Sequence, residues 1–405
     1  MKQKVYVTGT GIISAIGVGK NATLQSLLNE ESGIMPMAYL NSAHTGLPVG
    51  EVKMSNDEMS RTLEVSYPAN GLRTVLLGIF AAKEAVEQAQ LNESDIRKAA
   101  FISGTTVGGM DKTERHFKSV YDTNAGTSDC IELKYNDCGY STNLIADHIG
   151  NFQLVTTPST ACSSAANAII TGANLIKAGV VDIAVVGGSE ALSRFHLNGF
   201  NSLMILDRNR CRPFDKDRAG INLGEGAAYI VLESAGSVRT RNAKVLAELT
   251  GYGNACDAFH QTATSENGEG AYLAMRKALD MARLSPDEID YVNTHGTGTP
   301  NNDECEIAAM ERIWGCRMPD FSSTKPFTGH TTSASGSIEA VICLIAITHG
   351  IKPMSPGVST PLKKDISPLP ETVRDSGVRI VMNNSFGFGG NDSSLIFTEY
   401  DGNNE

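Results

Sequence analysis

The chain repeats itself, and that repetition constrains the possible folds more than any other feature. Residues 78–105 read GIFAAKEAVEQAQLNESDIRKAAFISGT, and residues 270–297 read GAYLAMRKALDMARLSPDEIDYVNTHGT. Each stretch opens with apolar residues at helical spacing, then passes a leucine and a polar turn cluster. Each places an isoleucine five residues after that leucine and closes in a short strand running into Gly-Thr. Earlier in each half a strand ends in a matching tetrapeptide, Thr8-Gly9-Thr10-Gly11 and Thr250-Gly251-Tyr252-Gly253. A third echo pairs Thr160-Ala161-Cys162-Ser163-Ser164-Ala165 with Thr328-Gly329-His330-Thr331-Thr332-Ser333, each opening a helix of small residues. Three echoes in one order predict two halves related by a pseudo-twofold axis, with Cys162 and His330 facing each other at equivalent helix starts.

At 405 residues the chain exceeds the length at which one core stops growing, so two packed halves are expected, 1–240 and 241–405, with the seam near residues 235–245. Strands such as VVDIAVVGG, AAYIVLE and SLIF alternate with the helical segments, which predicts an α/β class with buried central sheets. The net charge of −11 excludes bulk nucleic-acid binding and a polybasic membrane attachment. The longest uninterrupted apolar run, Ala340 to Ile347, falls far short of the roughly 20 residues of a membrane span, so no membrane insertion is expected. The opening MKQKVYVTGTGIIS is too polar for a secretory signal, which points to a cytoplasmic protein with free thiols. Its eight cysteines show no CxxC pair or zinc-finger spacing, so no metal site is expected.

Three segments carry candidate chemistry. Cys162 follows the extended segment FQLVTTPST and precedes a helix, a turn that predicts an exposed sulfur, N–H groups aimed at an oxyanion and a thiol pKa lowered by the helix N-terminus. A small cysteine filling a core gap is the competing assignment for that segment alone. His295 lies in YVNTHGTGTPNNDECE and His330 in SSTKPFTGHTTSASG, with Lys325 five residues before it and Glu339 nine after. Both histidines sit in Gly/Thr-rich loops after strands, where α/β folds place ligands, and imidazole is the side chain best suited to proton transfer near neutral pH. In NNSFGFGGNDSSLIF (383–397), Gly387, Gly389 and Gly390 surround Phe388, and Phe386 and Phe388 are bulky enough to gate a tunnel; an ordinary glycine-rich turn would read the same way. Gly9-Thr10-Gly11 lacks the third glycine and the acidic partner of a dinucleotide site, so a nicotinamide cofactor is not expected.

Together these blocks resemble the elongating β-ketoacyl-acyl-carrier-protein synthases of the thiolase superfamily. The likeness runs nearly end to end: VTGTGIIS, TACSSA, GGSEA, CRPFDKDRAGINLGEGAAYIVLE, NTHGTGTPNNDECE, STKPFTGH and NNSFGFGG occur in the family's order. It implies a five-layered α-β-α-β-α thiolase-like fold and a homodimer. It implies decarboxylative Claisen condensation of malonyl-acyl carrier protein with an acyl chain held on Cys162. His295 and His330 would promote decarboxylation, and Lys325 and Glu339 would order the surroundings of His330. The N–H groups of Cys162 and Phe388 would form the oxyanion hole, with Phe388 also the gate. Val107, Thr297, Thr299, Phe386 and Phe388 would contact substrate. No cofactor of its own is implied, since phosphopantetheine arrives on the carrier protein with the acyl and malonyl thioesters. Degradative thiolases use a second cysteine as base, and His330 in the corresponding motif favours synthesis.

Two segments depart from the fatty-acid pattern. The first, 55–74, reads SNDEMSRTLEVSYPANGLRT in place of a basic run, and 120–150 lacks the usual proline- and phenylalanine-rich pocket. Carrier-protein docking is therefore expected at Arg208 and Arg210, within a basic block whose Arg212 to Arg218 portion reads as structural. The departures admit a polyene or polyketide synthase beside a fatty-acid enzyme. A non-catalytic chain-length partner subunit is the other alternative, and such subunits normally lack the cysteine.

Overall fold

The computed structural model describes residues 3–66, 68–116 and 127–402. Its strands, in chain order, are β1 (Val5–Ser14), β2 (Gly17–Val18), β3 (Ala100–Gly104), β4 (Leu154–Thr156), β5 (Ile183–Glu190) and β6 (Gly226–Ser234) in the first half. The second half supplies β7 (Ala247–Cys256), β8 (Tyr291–Asn293), β9 (Asp320–Ser322), β10 (Ile380–Gly387) and β11 (Asn391–Glu399). The hydrogen-bonded order is β4-β3-β5-β6-β1-β7-β11-β10-β8-β9, with β2 hairpinned onto β1. Read outward from its centre, the order repeats: β1-β6-β5-β3-β4 on one side matches β7-β11-β10-β8-β9 on the other. The directions repeat too, with two antiparallel pairings followed by two parallel ones. Among the described residues, the two five-stranded units pair strand to strand through Tyr6 with Glu248 and Val7 with Ala247.

Alternation along each strand builds the layers, because successive side chains leave opposite faces. In β3, Phe101 joins an outer core while Ala100 and Ile102 join the central one; in β11, Ile396 and its neighbours Leu395 and Phe397 divide the same way. The Ser164–Lys177 and Ser335–His349 helices lie between the two sheets and fill the central core. The Arg73–Gln88 and Cys138–Ile149 helices cover the first sheet, and the Glu269–Ala282 and Pro300–Trp314 helices cover the second. The result is the five-layered α-β-α-β-α arrangement. Within the central layer, Thr332–His349 is long and apolar enough to cross a membrane by composition, but it is 89% buried among the other elements, which accounts for its apolarity.

The echoed tetrapeptides have a structural cause. A Cβ on Gly9 would lie 2.2 Å from the carbonyl oxygen of Ala85, and one on Gly11 would lie 2.0 Å from that of Ala81. In the other half the same approach recurs, 2.3 Å from Ala278 for Gly251 and 2.1 Å from Ala274 for Gly253. Each glycine pair lets an outer helix lie directly on its strand. Both strands also carry a bulge at the preceding threonine, Thr8 and Thr250.

Replacing Gly11 by valine should therefore destabilise the protein by about 1–3 kcal/mol or more through overpacking. Alanine at the exposed loop residue Gly46, where nothing lies within 4 Å of the new Cβ, should change stability by less than about 0.5 kcal/mol. Urea unfolding midpoints of the two variants measure the contrast.

Candidate active site

The two loops leading into the central helices bring Cys162 and His330 together. Cys162 lies just before Ser163, which caps the Ser164–Lys177 helix. It follows Ala161, whose φ of +52° puts a non-glycine residue in the left-handed region at a strain of about 1 kcal/mol. His330 follows Gly329, which is also at positive φ, +73°. A short turn, Thr332–Ala334, then leads into the Ser335–His349 helix.

His330 Nε2 lies 3.1 Å from Cys162 Sγ, and its Nδ1 lies 2.7 Å from Ser335 Oγ. The ring of His295 is 5.4 Å from that of His330 and nearly perpendicular to it. The Lys325 ammonium lies 3.4 Å from His295 Nδ1, also donates to the His295 carbonyl, and pairs with Glu339 Oε1 at 2.5 Å. An ammonium can only donate, so it faces a lone pair on His295 Nδ1 and leaves Nε2 as the N–H of that ring. The His295 loop is held from below: Glu306 accepts the N–H groups of His295 and Gly296 at 2.9 and 2.8 Å, and Asp303 Oδ1 accepts those of Thr297 and Gly298 at 3.1 Å.

Burial sets the protonation states. It pushes the Cys162 thiol up to about 11, opposed only in part by Lys325 and by the N–H groups of Phe388 and Cys162 itself. Both histidines fall well below their usual range, first through burial and then through the nearby Lys325. The Glu339 carboxyl rises to about 7 because burial outweighs its contact with Lys325, and Glu306 rises to about 7 for the same first reason. At neutral pH the centre is a thiol facing two uncharged imidazoles.

Several expectations need correction. The sulfur is not exposed, since Cys162 keeps only 6% of its surface. Nor is its pKa lowered: desolvation exceeds what the helix start supplies. Lys325 bonds to His295 and Glu339 bonds to Lys325, where both were expected to order His330; Lys325 acts on His330 through its field. Val107 is half-buried and is not among the described residues that line the cavity at Cys162.

That cavity, of about 230 Å³, is walled by Cys162, His295, His330, Phe386 and Phe388, with Thr297 and Thr299 toward one side. Phe388 is 36% exposed and stacks on Phe200 at 5.8 Å, an aromatic partner in the RFHLNGF segment that motif reasoning missed. Glu306 and Asp303 were also missed, although NNDECE placed them within reach of the loop. Ser335 carried no sequence signal beyond its place at a helix start. Arg208 and Arg210 are exposed, shortly after Ile205, which lines the cavity. Arg218 is buried against Asp303 and Glu304, and Arg212 is tied to Asp215, so that part of the basic block is structural. Segment 55–74, apart from Tyr67, which lies outside the described residues, holds a helix opened by Ser55, Asp57 and Glu58, an acidic surface where a basic run was looked for. Of segment 120–150, residues 120–126 lie outside the described residues.

The donor atoms of Cys162, His295 and His330 all lie within 4.8 Å of one another. A soft divalent cation could compete for the three atoms, each of which offers one ligand.

Comparison with known proteins agrees with this geometry. The chain matches the family models described as Beta-ketoacyl synthase, N-terminal domain, over residues 2–237 and Beta-ketoacyl synthase, C-terminal domain, over 246–359. It is 30% identical to 3-oxoacyl-[acyl-carrier-protein] synthase 2 of Staphylococcus aureus (strain COL), over 98% of this chain and 99% of that protein. It is 33% identical to nodulation protein E of Rhizobium meliloti, over 98% and 100%. Among solved structures, a chain of the ishigamide ketosynthase/chain length factor superposes with a TM-score of 0.91 at 33% identity, covering 99% of this chain and 100% of that one. A chain of the complex between the ketosynthase ApeO and its chain length factor ApeC from Xenorhabdus doucetiae gives 0.84 at 32% identity and 98% of each. The chain therefore belongs to the beta-ketoacyl synthase family, acyltransferases of the thiolase superfamily that form carbon–carbon bonds.

The buried thiol makes a kinetic prediction. Because Cys162 is protonated below pH 11 or so, its alkylation by iodoacetamide should rise about tenfold per pH unit between pH 7 and pH 10. Peptide mapping separates it from the exposed Cys256 and Cys316. A rate independent of pH across that range would show a preformed thiolate.

Proposed function

We propose that this chain loads an acyl group from a carrier-protein phosphopantetheine thioester onto Cys162 and condenses it with malonyl-acyl carrier protein, losing CO2. The observation that carries this is the 3.1 Å contact between Cys162 Sγ and His330 Nε2, with His295 across the same cavity. In loading, the thiol proton passes to His330 Nε2 as sulfur attacks the thioester carbonyl. The N–H groups of Cys162 and Phe388, both within hydrogen-bonding reach of the sulfur, receive the oxyanion. Collapse expels the pantetheine thiolate, which takes the proton from His330. The Ser335 hydroxyl, by turning, can accept from His330 Nδ1–H or donate to Nδ1, and so serves both protonation patterns of the ring.

In condensation, His295 Nε2–H and His330 Nε2–H donate to the malonyl thioester oxygen. The bond to the carboxylate breaks, its electrons enter the enolate and CO2 departs. The enolate carbon attacks the Cys162 thioester, the tetrahedral oxyanion is received by the backbone N–H groups of Cys162 and Phe388, and collapse frees Cys162 as a thiolate that takes a proton from solvent. Uncharged imidazoles suit this step: they stabilise the enolate oxygen without delivering a proton to carbon. Lys325 and Glu339 are positioning residues that fix the His295 ring, Thr297 and Thr299 border the pantetheine path, and Phe386 and Phe388 close the cavity over it.

A dimer in the cytoplasm is the proposed assembly, with a second copy of the chain as partner and carrier protein docking at Arg208 and Arg210. The ishigamide and ApeO relatives, each described with a chain length factor, favour a second arrangement in which this chain is the catalytic member of an unlike pair. The presence of Cys162 supports the catalytic role in either assembly and weighs against a non-catalytic one. The same relatives support a polyene or polyketide product beside a fatty acid.

Substituting Cys162 by alanine should abolish acyl loading, read by intact-protein mass. His295→Ala should slow CO2 release from malonyl carrier protein by about 10²-fold or more while loading continues, because His330 holds the contact to sulfur. Loading that persists in the Cys162 variant would refute the assignment. Reversing Arg208 and Arg210 to glutamate should raise KM for the carrier protein with little change in kcat, an effect that shrinks as salt is added. Unchanged affinity at low salt would remove those residues from docking.

A further inference from the structure

Beside the nucleophile turn lies a cluster of amides and hydroxyls. The side-chain oxygen of Asn391 lies within hydrogen-bond distance of three donor groups: Ser163 Oγ at 2.8 Å, Asn167 Nδ2 at 2.7 Å and Asn254 Nδ2 at 2.9 Å. The cluster extends to the turn itself, because the one Ser163 hydroxyl proton lies between two acceptors, Asn391 Oδ1 and the Thr160 carbonyl, each 2.8 Å from Oγ, and Asn167 Nδ2 donates to Thr160 Oγ1 at 2.8 Å. Ser393 Oγ closes it, donating to Asn167 Oδ1 at 3.0 Å and accepting from Asn254 at 3.0 Å.

These groups come from three separate pieces of chain. Ser163 and Asn167 belong to the start of the helix behind Cys162, Asn254 to β7, and Asn391 is the first residue of β11, directly after the Gly387–Gly390 loop. The loop and the turn are already in backbone contact at Gly387, where a Cβ would lie 3.0 Å from the Thr160 oxygen and 3.2 Å from the Cys162 nitrogen. The turn carries strain at Ala161, so its shape must be imposed from outside. A carboxamide oxygen that takes two amide hydrogen bonds and shares the Ser163 proton with the Thr160 carbonyl acts as a common anchor for the three segments.

Given that Cys162 is the acyl carrier, we propose that Asn391 is a positioning residue for acyl transfer. Its side-chain oxygen pins the Thr160–Ser163 turn to the Gly387–Gly390 loop and so sets the spacing between the Cys162 and Phe388 N–H groups that receive the oxyanion. The malonyl thioester oxygen is served by His295 and His330, whose own supports are Lys325, Glu306 and Ser335, none of them in this cluster. Disturbing the anchor therefore slows acyl transfer and spares decarboxylation.

The test compares two reactions in the full-length protein. One is single-turnover loading of Cys162 from an acyl carrier-protein thioester, read by intact-protein mass. The other is CO2 release from malonyl carrier protein with no acyl donor present. Asn391→Ala should slow loading by about tenfold to a hundredfold and leave decarboxylation near the wild-type rate. Asn391→Thr, which keeps an acceptor hydroxyl, should recover most of the loading. Ser163→Ala, which removes one donor and leaves the loop intact, should slow loading in the same sense and by a smaller factor, even if the Asn391 variants fold poorly. Loading at the wild-type rate in Asn391→Ala and Ser163→Ala, equal slowing of both reactions, or no recovery with threonine would overturn the role. A wild-type chain that takes up no acyl group would count against Cys162 itself, and so separates the two failures.

Discussion

The contact between the Cys162 thiol and the His330 imidazole depends on the whole architecture, because each half of the chain supplies one partner. Two β-α units, each with a five-stranded sheet, place their inner helices back to back. The residues that enter those helices meet in the seam between the sheets. Shifting either sheet's register by one residue would send each strand's side chains to the opposite face, away from the helices that β1, β5 and β6, buried on both faces, pack against. The duplication is therefore the device that brings sulfur and imidazole within 3.1 Å across 168 residues of chain.

Burial around this contact explains the rest of the electrostatics. A cavity dry enough to hold two uncharged histidines also raises the thiol, so the site cannot rely on a standing thiolate. It relies on a base at contact distance. Lys325 makes no hydrogen bond to the sulfur among the described contacts: it sets the His295 ring and pairs with Glu339. Backbone N–H groups supply the remaining polarity, which adds no mobile charge to a low-dielectric site. The loop bearing Phe388 both completes that polarity and roofs the cavity through its stack on Phe200.

Much of this was legible in the sequence, for reasons that differ by residue. The repeat was visible because close helix–strand packing leaves glycine no substitute at Gly9, Gly11, Gly251 and Gly253. Cys162, His295 and His330 stood out because each is a reactive side chain in a small-residue loop beside a strand. The partner of Lys325 was not legible, since spacing of five residues from His330 suggested the nearer histidine in sequence, and the fold delivered the other. The thiol pKa was misjudged because a helix start is readable from sequence and the depth of burial is not. Phe200 and Asn391 escaped because an aromatic in a helix and an asparagine in a turn have many ordinary uses.

The most direct measurement is a single turnover of the acyl-loaded enzyme. Protein carrying one acyl group on Cys162, freed of donor and mixed with malonyl-acyl carrier protein, should lose that acyl mass as CO2 and 3-oxoacyl carrier protein appear, one for one. Release of CO2 with the acyl group still on Cys162, or loss of the acyl group as free acid, would contradict the account.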